Sequence, residues 1–296
     1  MAITYNNLYM DLRQRLRQLG VENASVEARE IVCCGSGKSR EELLRDSRLY
    51  VPPVVEQEID HLVQRRLQGE PVAYLIGEWE FYGMPLDISE AVLIPRQDTE
   101  LLVEQALPLI QGKGTCRVLD LCAGSGCIGL AVAKHAPESR VLLAEISDAA
   151  LRVCRQNIRR NMLSSQVTCL QVDALEKPAR IIGDFDFILC NPPYIPGADF
   201  PQLDVSVRDY EPKQALLGLD EDGLGFYRSI AKQWSACLNP EGWLFFEVGI
   251  GQADAVLRIM RSCGFGELDI VADTGGIPRV VKGKKCTDIW AEEIAH

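Results

Sequence analysis

Val118-Leu119-Asp120-Leu121-Cys122-Ala123-Gly124-Ser125-Gly126 is a mostly apolar run ending in two glycines, and a helix-forming stretch from about Cys127 to Lys134 follows at once. Such a run reads as a buried strand. Glycines in the turn behind it permit positive φ and leave no side chain between the backbone and a ligand. From Cys116 onward the alternation of strand and helix recurs. Strands are expected near 116–121, 140–145, 167–172, 185–190, 242–248, 267–272 and 286–292, with helices after most of them. This is the pattern of a parallel sheet covered by helices on both faces. The last two strands have no helix between them, only a connection that begins Asp273-Thr274-Gly275-Gly276-Ile277-Pro278, so they should pair antiparallel. The fold class is therefore α/β, with a Rossmann-like seven-stranded sheet.

Upstream of that sheet, residues 1–70 read as a small all-helical domain. Leu8, Leu12, Leu16 and Leu19 share one helix face, with Gly20 as a stop. Ser39 and Glu42 form a possible capping box, and Pro53 suits a first helical turn ahead of Val55, Ile59, Leu62 and Leu67. From Pro71 to Pro95 the character changes: Tyr74, Trp79, Phe81 and Tyr82 alternate with Gly77 and Gly83, the mark of a β-hairpin. The expected organisation is a helical docking domain (1–70), a hairpin linker (71–95) and an α/β domain (96–296).

The whole chain narrows the function classes. At 296 residues and 47% hydrophobic content it is long enough for two cores. No stretch approaches the ~20 apolar residues of a membrane span, and Met1 to Arg17 lacks the apolar centre of a secretion signal, so the cytoplasm is the expected compartment. Eleven cysteines show no paired C-x-x-C spacing, and His61, His135 and His296 lie far apart, which argues against a disulfide framework or a zinc site. A net charge of −11 opposes a nonspecific grip on nucleic acid, which needs clustered cations.

An adenosine-bearing cofactor can lie across the strand ends at the glycine turn. Gly124-Ser125-Gly126-Cys127-Ile128-Gly129 satisfies the dinucleotide string G-x-G-x-x-G literally. Asp120 opposes that reading, because its charge would repel a pyrophosphate, whereas it can meet the ammonium of an amino-acid moiety. Glu145 ends the next strand, where a carboxylate can accept both ribose hydroxyls; the alternative is a helix cap near Ser147 and Asp148. Asp173 ends the third strand and either reaches an adenine amino group or forms a turn.

Asn191-Pro192-Pro193-Tyr194 follows the apolar strand Phe185–Cys190. Two prolines lock φ and remove donors, so the chain leaves the sheet rigidly with Asn191 at the strand's carboxyl end. An amide oxygen, a neighbouring carbonyl and a tyrosine face can together hold a planar nitrogen group. Hydride chemistry has no need of such a clamp.

In this order and spacing, Asp120 to Gly126, Glu145, Asp173 and Asn-Pro-Pro-Tyr resemble a class I S-adenosylmethionine-dependent methyltransferase acting on an amide or exocyclic amine nitrogen. Further segments resemble the peptide-chain release factor glutamine methyltransferases, the HemK/PrmC type: Gly69-Glu70-Pro71-Val72-Ala73-Tyr74, Gly77-Glu78-Trp79-Glu80-Phe81-Tyr82-Gly83 and Leu93-Ile94-Pro95-Arg96-Gln97-Asp98-Thr99-Glu100. Glu211-Pro212 with Ala215-Leu216, and Arg279-Val280-Val281-Lys282-Gly283, extend the likeness over nearly the whole chain. The resemblance implies S-adenosyl-L-methionine as cofactor, S-adenosyl-L-homocysteine as product, and the glutamine of the Gly-Gly-Gln motif of class 1 release factors as acceptor.

On that basis the cofactor site comprises Asp120, Cys122, Ala123, Gly124, Ser125, Gly126, Glu145, Asp173, Ala174 and Asn191. Asn191, Pro192, Pro193 and Tyr194 would be catalytic and bind the acceptor. Cys122 stands where many relatives carry glycine, and Ala174 where some place an aromatic. The expected enzyme is a monomer whose partner is the release factor, with no direct contact to nucleic acid or membrane. Asp98, Thr99 and Glu100 either contact the cofactor's methionine end or cap a helix, with the cap preferred. Competing readings are an adenine exocyclic-amino methyltransferase acting on DNA or RNA, a noncatalytic adaptor, and an NAD-dependent oxidoreductase.

Overall fold

A computed structural model describes residues 3–286, which fall into two compact units. One runs to Glu78 and includes Asp204–Tyr210; the other holds Trp79–Leu203 and the described chain from Glu211.

The first unit opens with α1 (Tyr5–Gln18), α2 (Ala24–Ser36), α3 (Arg40–Arg45), α4 (Pro53–Leu67) and α5 (Val72–Ile76). Leu8, Leu12 and Leu16 are buried, but Leu19 is 60% exposed because α1 stops one residue before it. The Ser39–Glu42 capping box and Pro53 in the first turn of α4 form as expected. Helix α5 lies inside the stretch read as hairpin. Pro71 precedes its short apolar run, and Gly77 ends it at φ 71°.

The second unit takes all but the first residue of the hairpin strand β1 (Glu78–Phe81), then β2 (Met84–Asp87), α6 (Gln97–Lys113), β3 (Arg117–Leu121), α7 (Cys127–His135), β4 (Arg140–Glu145), α8 (Asp148–Arg160), β5 (Val167–Gln171) and β6 (Phe185–Cys190). After α9 (Val205–Arg208), which lies in the stretch grouped with the first unit, come α10 (Lys213–Leu216), α11 (Gly225–Gln233), β7 (Leu238–Glu247), α12 (Ala253–Ser262), β8 (Phe265–Ala272) and β9 (Pro278–Lys285). The hairpin turns on Tyr82 and Gly83, both at positive φ (51° and 70°), which matches the twist of its strands. Asn157 of α8 then grips β2, accepting from Asp87 N (2.6 Å) and donating to Asp87 O (3.1 Å).

The seven-stranded sheet has the order β5-β4-β3-β6-β7-β9-β8, and β9 alone runs against the others. The final strand begins at Pro278, earlier than the expected 286–292, of which all but Cys286 lies outside the described residues. Its apolar content is only Val280 and Val281, both fully buried, among Arg279, Lys282, Lys284 and Lys285. Lys282 and Lys284 pair with Asp269 and Glu267 on β8, so the cations that obscure the strand in the sequence serve its pairing. Antiparallel pairing of the last two strands is as anticipated. Strand β3 feeds α7 and β4 on one side and pairs with β6 on the other, with Leu121 opposite Cys190. The order reverses there, and that reversal opens a crevice at the strands' carboxyl ends. Among the described residues no helix is long and apolar enough to cross a membrane.

Candidate active site

Asp120 is not at the end of β3 but one residue inside it, and it is fully buried. Its Oδ2 accepts from the Gly129 amide (2.8 Å) in the first turn of α7, where the helix dipole favours a negative charge. Its Oδ1 has no partner among the described residues. Burial, aided by the nearby Glu145 charge and opposed by the Gly129 bond, pushes this carboxyl up to about 7. Asp120 therefore supports the loop from behind.

The loop itself is tightly curled. Cys122, Gly124 and Gly126 all take left-handed conformations, at φ 64°, 56° and 82°. Gly126 N donates to Ala123 O (2.7 Å), Ala123 N to Ala144 O (3.1 Å), and Asn157 Nδ2 to the Ser125 carbonyl (3.0 Å). Glu145 closes the turn: one oxygen accepts from Gly124 N and the other from Ser147 N, both at 2.9 Å. Of the two readings of Glu145, these bonds bear on the one near the helix start: it accepts from Ser147, the N-cap of α8, and braces the glycine loop as well. A carboxylate offers about four acceptor positions, so two remain.

A cavity of ≈ 160 Å³ lies over these strand ends. Of the expected residues, Cys122, Gly124, Glu145, Asp173, Ala174, Asn191 and Pro193 line it. Asp120, Ala123, Ser125, Gly126, Pro192 and Tyr194 do not. Asp173 Oδ1 accepts from Leu175 N (2.8 Å), as a turn-forming aspartate does. Trp234 Nε1 donates to the Ala174 carbonyl (3.0 Å), and Ser229 and Gln233 donate to that of Leu175, which ties this wall to α11 and the turn after it. The same helix sends Phe226 to the cavity, an aromatic that the sequence reading did not find.

Beyond β6, Tyr194 turns its carbonyl to Gln252 Nε2 (3.0 Å). Its phenol is pushed up to about 12 by burial and by the Glu247 carboxylate. Asn191 Nδ2 donates to Thr99 Oγ1 (3.4 Å). Thr99 and Glu247 are both buried, and Thr99 and Asn191 are the nearby polar groups that act to hold the Glu247 carboxylate in its charged form. Burial, with Asp98 nearby, raises Glu247 to about 7 against those groups and the Arg279 charge. Asp98-Thr99-Glu100 do start a helix, with both acids in the first turn of α6, but none of them caps it, because the N-cap is Arg96 and no side-chain cap bond forms. Asp98 pairs with Arg279 (2.8 Å), and Glu100 accepts from Tyr82 N (2.7 Å).

A methyl donor with an adenosine tail and an amino-acid head suits a sheet that reverses at β3 and β6 beneath a curled loop and a second-strand acid. This is the arrangement of a class I S-adenosylmethionine-dependent methyltransferase. Residues 97–206 match the model of the methyltransferase small domain, and residues 7–77 that of the PrmC N-terminal domain. Over 274 residues the chain is 39% identical to the release factor glutamine methyltransferase of Geobacter sulfurreducens, covering 92% of this chain and 93% of that one. The protein of the same name from Thermodesulfovibrio yellowstonii is 38% identical, over 86% and 90% of the two chains. The chain belongs to the release factor glutamine methyltransferase family. A solved methyltransferase from Pyrococcus furiosus, 16% identical, superposes over 76% of this chain and 98% of its own with a TM-score of 0.51, a likeness of fold.

Proposed function

We infer that this protein transfers a methyl group from S-adenosyl-L-methionine to the side-chain amide nitrogen of the glutamine in the Gly-Gly-Gln motif of class 1 peptide chain release factors, supporting translation termination. The observation that carries this reading is the setting of Asn191 at the carboxyl end of β6. Its amide nitrogen donates to Thr99 with Glu247 nearby, which leaves Oδ1 as an acceptor beside the cavity.

The cofactor fits the residues present. A side chain at Gly124 would meet no atom within 4 Å, so the loop leaves open space there. The two spare acceptor positions of Glu145 suit the two ribose hydroxyls. Ala174 and Phe226 offer apolar walls for the adenine, and Asp173 an acceptor for its amino group. When bound, the cofactor supplies an electrophilic methyl on a sulfonium and leaves as S-adenosyl-L-homocysteine.

A glutamine amide nitrogen is a poor nucleophile because its lone pair is delocalised. Asn191 Oδ1 and the Pro192 carbonyl would each accept one of its N–H groups, which aligns the nitrogen and favours pyramidalisation. Pro193 stiffens this clamp, and Tyr194 holds the amide plane by packing. Asparagine offers no strong base, so the proton departs after methyl transfer. The first unit would dock the factor: Leu44 and Val54 are 78% and 72% exposed there. With a net charge of −11, the enzyme works as a cytoplasmic monomer on a protein partner without gripping nucleic acid.

Mass analysis of release-factor peptides after incubation with the protein and cofactor should find one added methyl on the Gly-Gly-Gln glutamine. Unmodified factor beside a methylated adenine oligonucleotide would overturn the reading. Replacing Asn191 by Ala should lower kcat by about 100-fold or more while cofactor affinity stays nearly unchanged. Loss of cofactor binding to the same extent would contradict the role given to Asn191.

A further inference from the structure

We propose that Glu247, acting with Thr99, is a positioning residue for this transfer: it fixes which way the Asn191 amide faces and strengthens its oxygen as an acceptor. The proposal rests on the function inferred above.

Three elements converge on the Asn191 side chain. Strand β7 pairs with β6 with Cys190 opposite Phe246, so Glu247 is the neighbour of Asn191 one step on in register. Thr99 comes from the first turn of α6. An asparagine amide is nearly symmetric in shape, and only its partners decide whether oxygen or nitrogen faces the cavity. Here the partners select. The Thr99 hydroxyl oxygen accepts from Asn191 Nδ2, and the Glu247 carboxylate, next in register and able only to accept, favours the nitrogen end on its side. The amide oxygen is thereby left for the acceptor glutamine.

Glu247 also carries a charge where one is useful. Its Oε2 is buried without a hydrogen-bond partner among the described residues, a costly state to keep beside a reacting group. As the attacked nitrogen gains positive character, a negative charge relayed through the planar amide makes Oδ1 a better acceptor. Asp98, already paired with Arg279, and Tyr194, Tyr227 and Cys127 are the other titratable groups acting on or sensing this carboxylate. The tyrosines and the cysteine are all raised, so they stay neutral near pH 7. Because burial lifts Glu247 to about 7, its charged form, and the activity with it, should rise through that region.

The test compares wild type with Glu247→Gln, Thr99→Val and Thr99→Ser. At pH 8, Glu247→Gln should lose about 10-fold or more in kcat, with KM for the factor and Kd for the cofactor within about 2-fold. Wild-type kcat should rise through pH 7, and the variant should lack that limb. Thr99→Val should lose activity that Thr99→Ser restores, and this pair decides if Glu247→Gln fails to fold. Independently of turnover, the Asn191 side-chain amide resonance should titrate near pH 7 in wild type and stay fixed in Glu247→Gln. Unchanged kcat in both Glu247→Gln and Thr99→Val, or an Asn191 resonance indifferent to pH, would overturn the proposal. If wild type leaves the factor's glutamine unmethylated, the inferred function falls, and the resonance still judges the relay.

Discussion

Cys122 holds φ at +64° in the middle of the cofactor loop, a conformation that costs an L-residue roughly 1–2 kcal/mol and glycine almost nothing. Replacing Cys122 by Gly loses some of that gain to the greater freedom of the unfolded chain, so the expected net effect is a stabilisation of about 0.5–1 kcal/mol, read from urea denaturation midpoints. Asp120 gives a second prediction. Its folded carboxyl, at about 7, lies above the ordinary value of about 3.9, so the folded state binds the extra proton between them. Stability from the neutral form is full at low pH and is lost as pH rises through about 7, a change of up to about 4 kcal/mol. The melting temperature should fall from pH 5 to 8, and Asp120→Asn, which keeps an acceptor for Gly129, should flatten the fall. An equally steep fall in the variant would refute the assignment. Cys122, Gly124, Glu145 and Asn191 were legible as wall residues from the strand-turn-helix pattern and the proline pair. Phe226 was not, nor were the contact of Thr99, read as a cofactor contact or cap, with Asn191 and the place of Glu247 beside it, because these depend on strand register and burial across distant segments.

At the scale of elements, the packing of α7 on β3 and β4 turns on Gly129. A Cβ there would lie 2.3 Å from Leu143 Cδ2 and 3.0 Å from Asp120 Cβ. Gly129→Ala would gain helix propensity, by up to about 1 kcal/mol, yet the overlap forces α7 outward at a cost of about 1–3 kcal/mol and loosens the Asp120 bond. A net loss in thermal denaturation, with weaker cofactor binding by calorimetry, is expected; unchanged stability would show that the helix shifts freely. Strands near 140–145 and 185–190 could be read closely because apolar runs between turns leave little choice of period. Helix α5 and the start of β9 were misplaced for opposite reasons. Aromatics around Tyr74 suggested strand although the short run Val72–Ile76 buries as a helix, and lysines disguised a buried pair of valines.

At the scale of the molecule, methylation of an intact release factor should depend on the first unit more than methylation of a short Gly-Gly-Gln peptide does. Replacing both Leu44 and Val54 by Asp should raise KM for the whole factor about 10-fold or more, since burying each of these apolar side chains against a partner is worth roughly 1–2 kcal/mol, and leave the peptide's kcat/KM within about 2-fold. Equal effects on both substrates would dismiss the docking role. Helical periodicity over residues 1–70 and the alternation of strand and helix from Cys116 were visible in the sequence. The return of Asp204–Tyr210 to the first unit was not, since a four-residue helix carries no periodic signal.

That return has a practical meaning for anyone building hybrids within the family. The helical unit is not a cassette with one junction: Tyr210 Oη donates to the Gln68 carbonyl (3.1 Å), and Val205 packs beside Gly69. A graft of the amino-terminal stretch alone would seat a foreign surface against a native insert. Swapping both pieces together is what the covalent path of the chain demands.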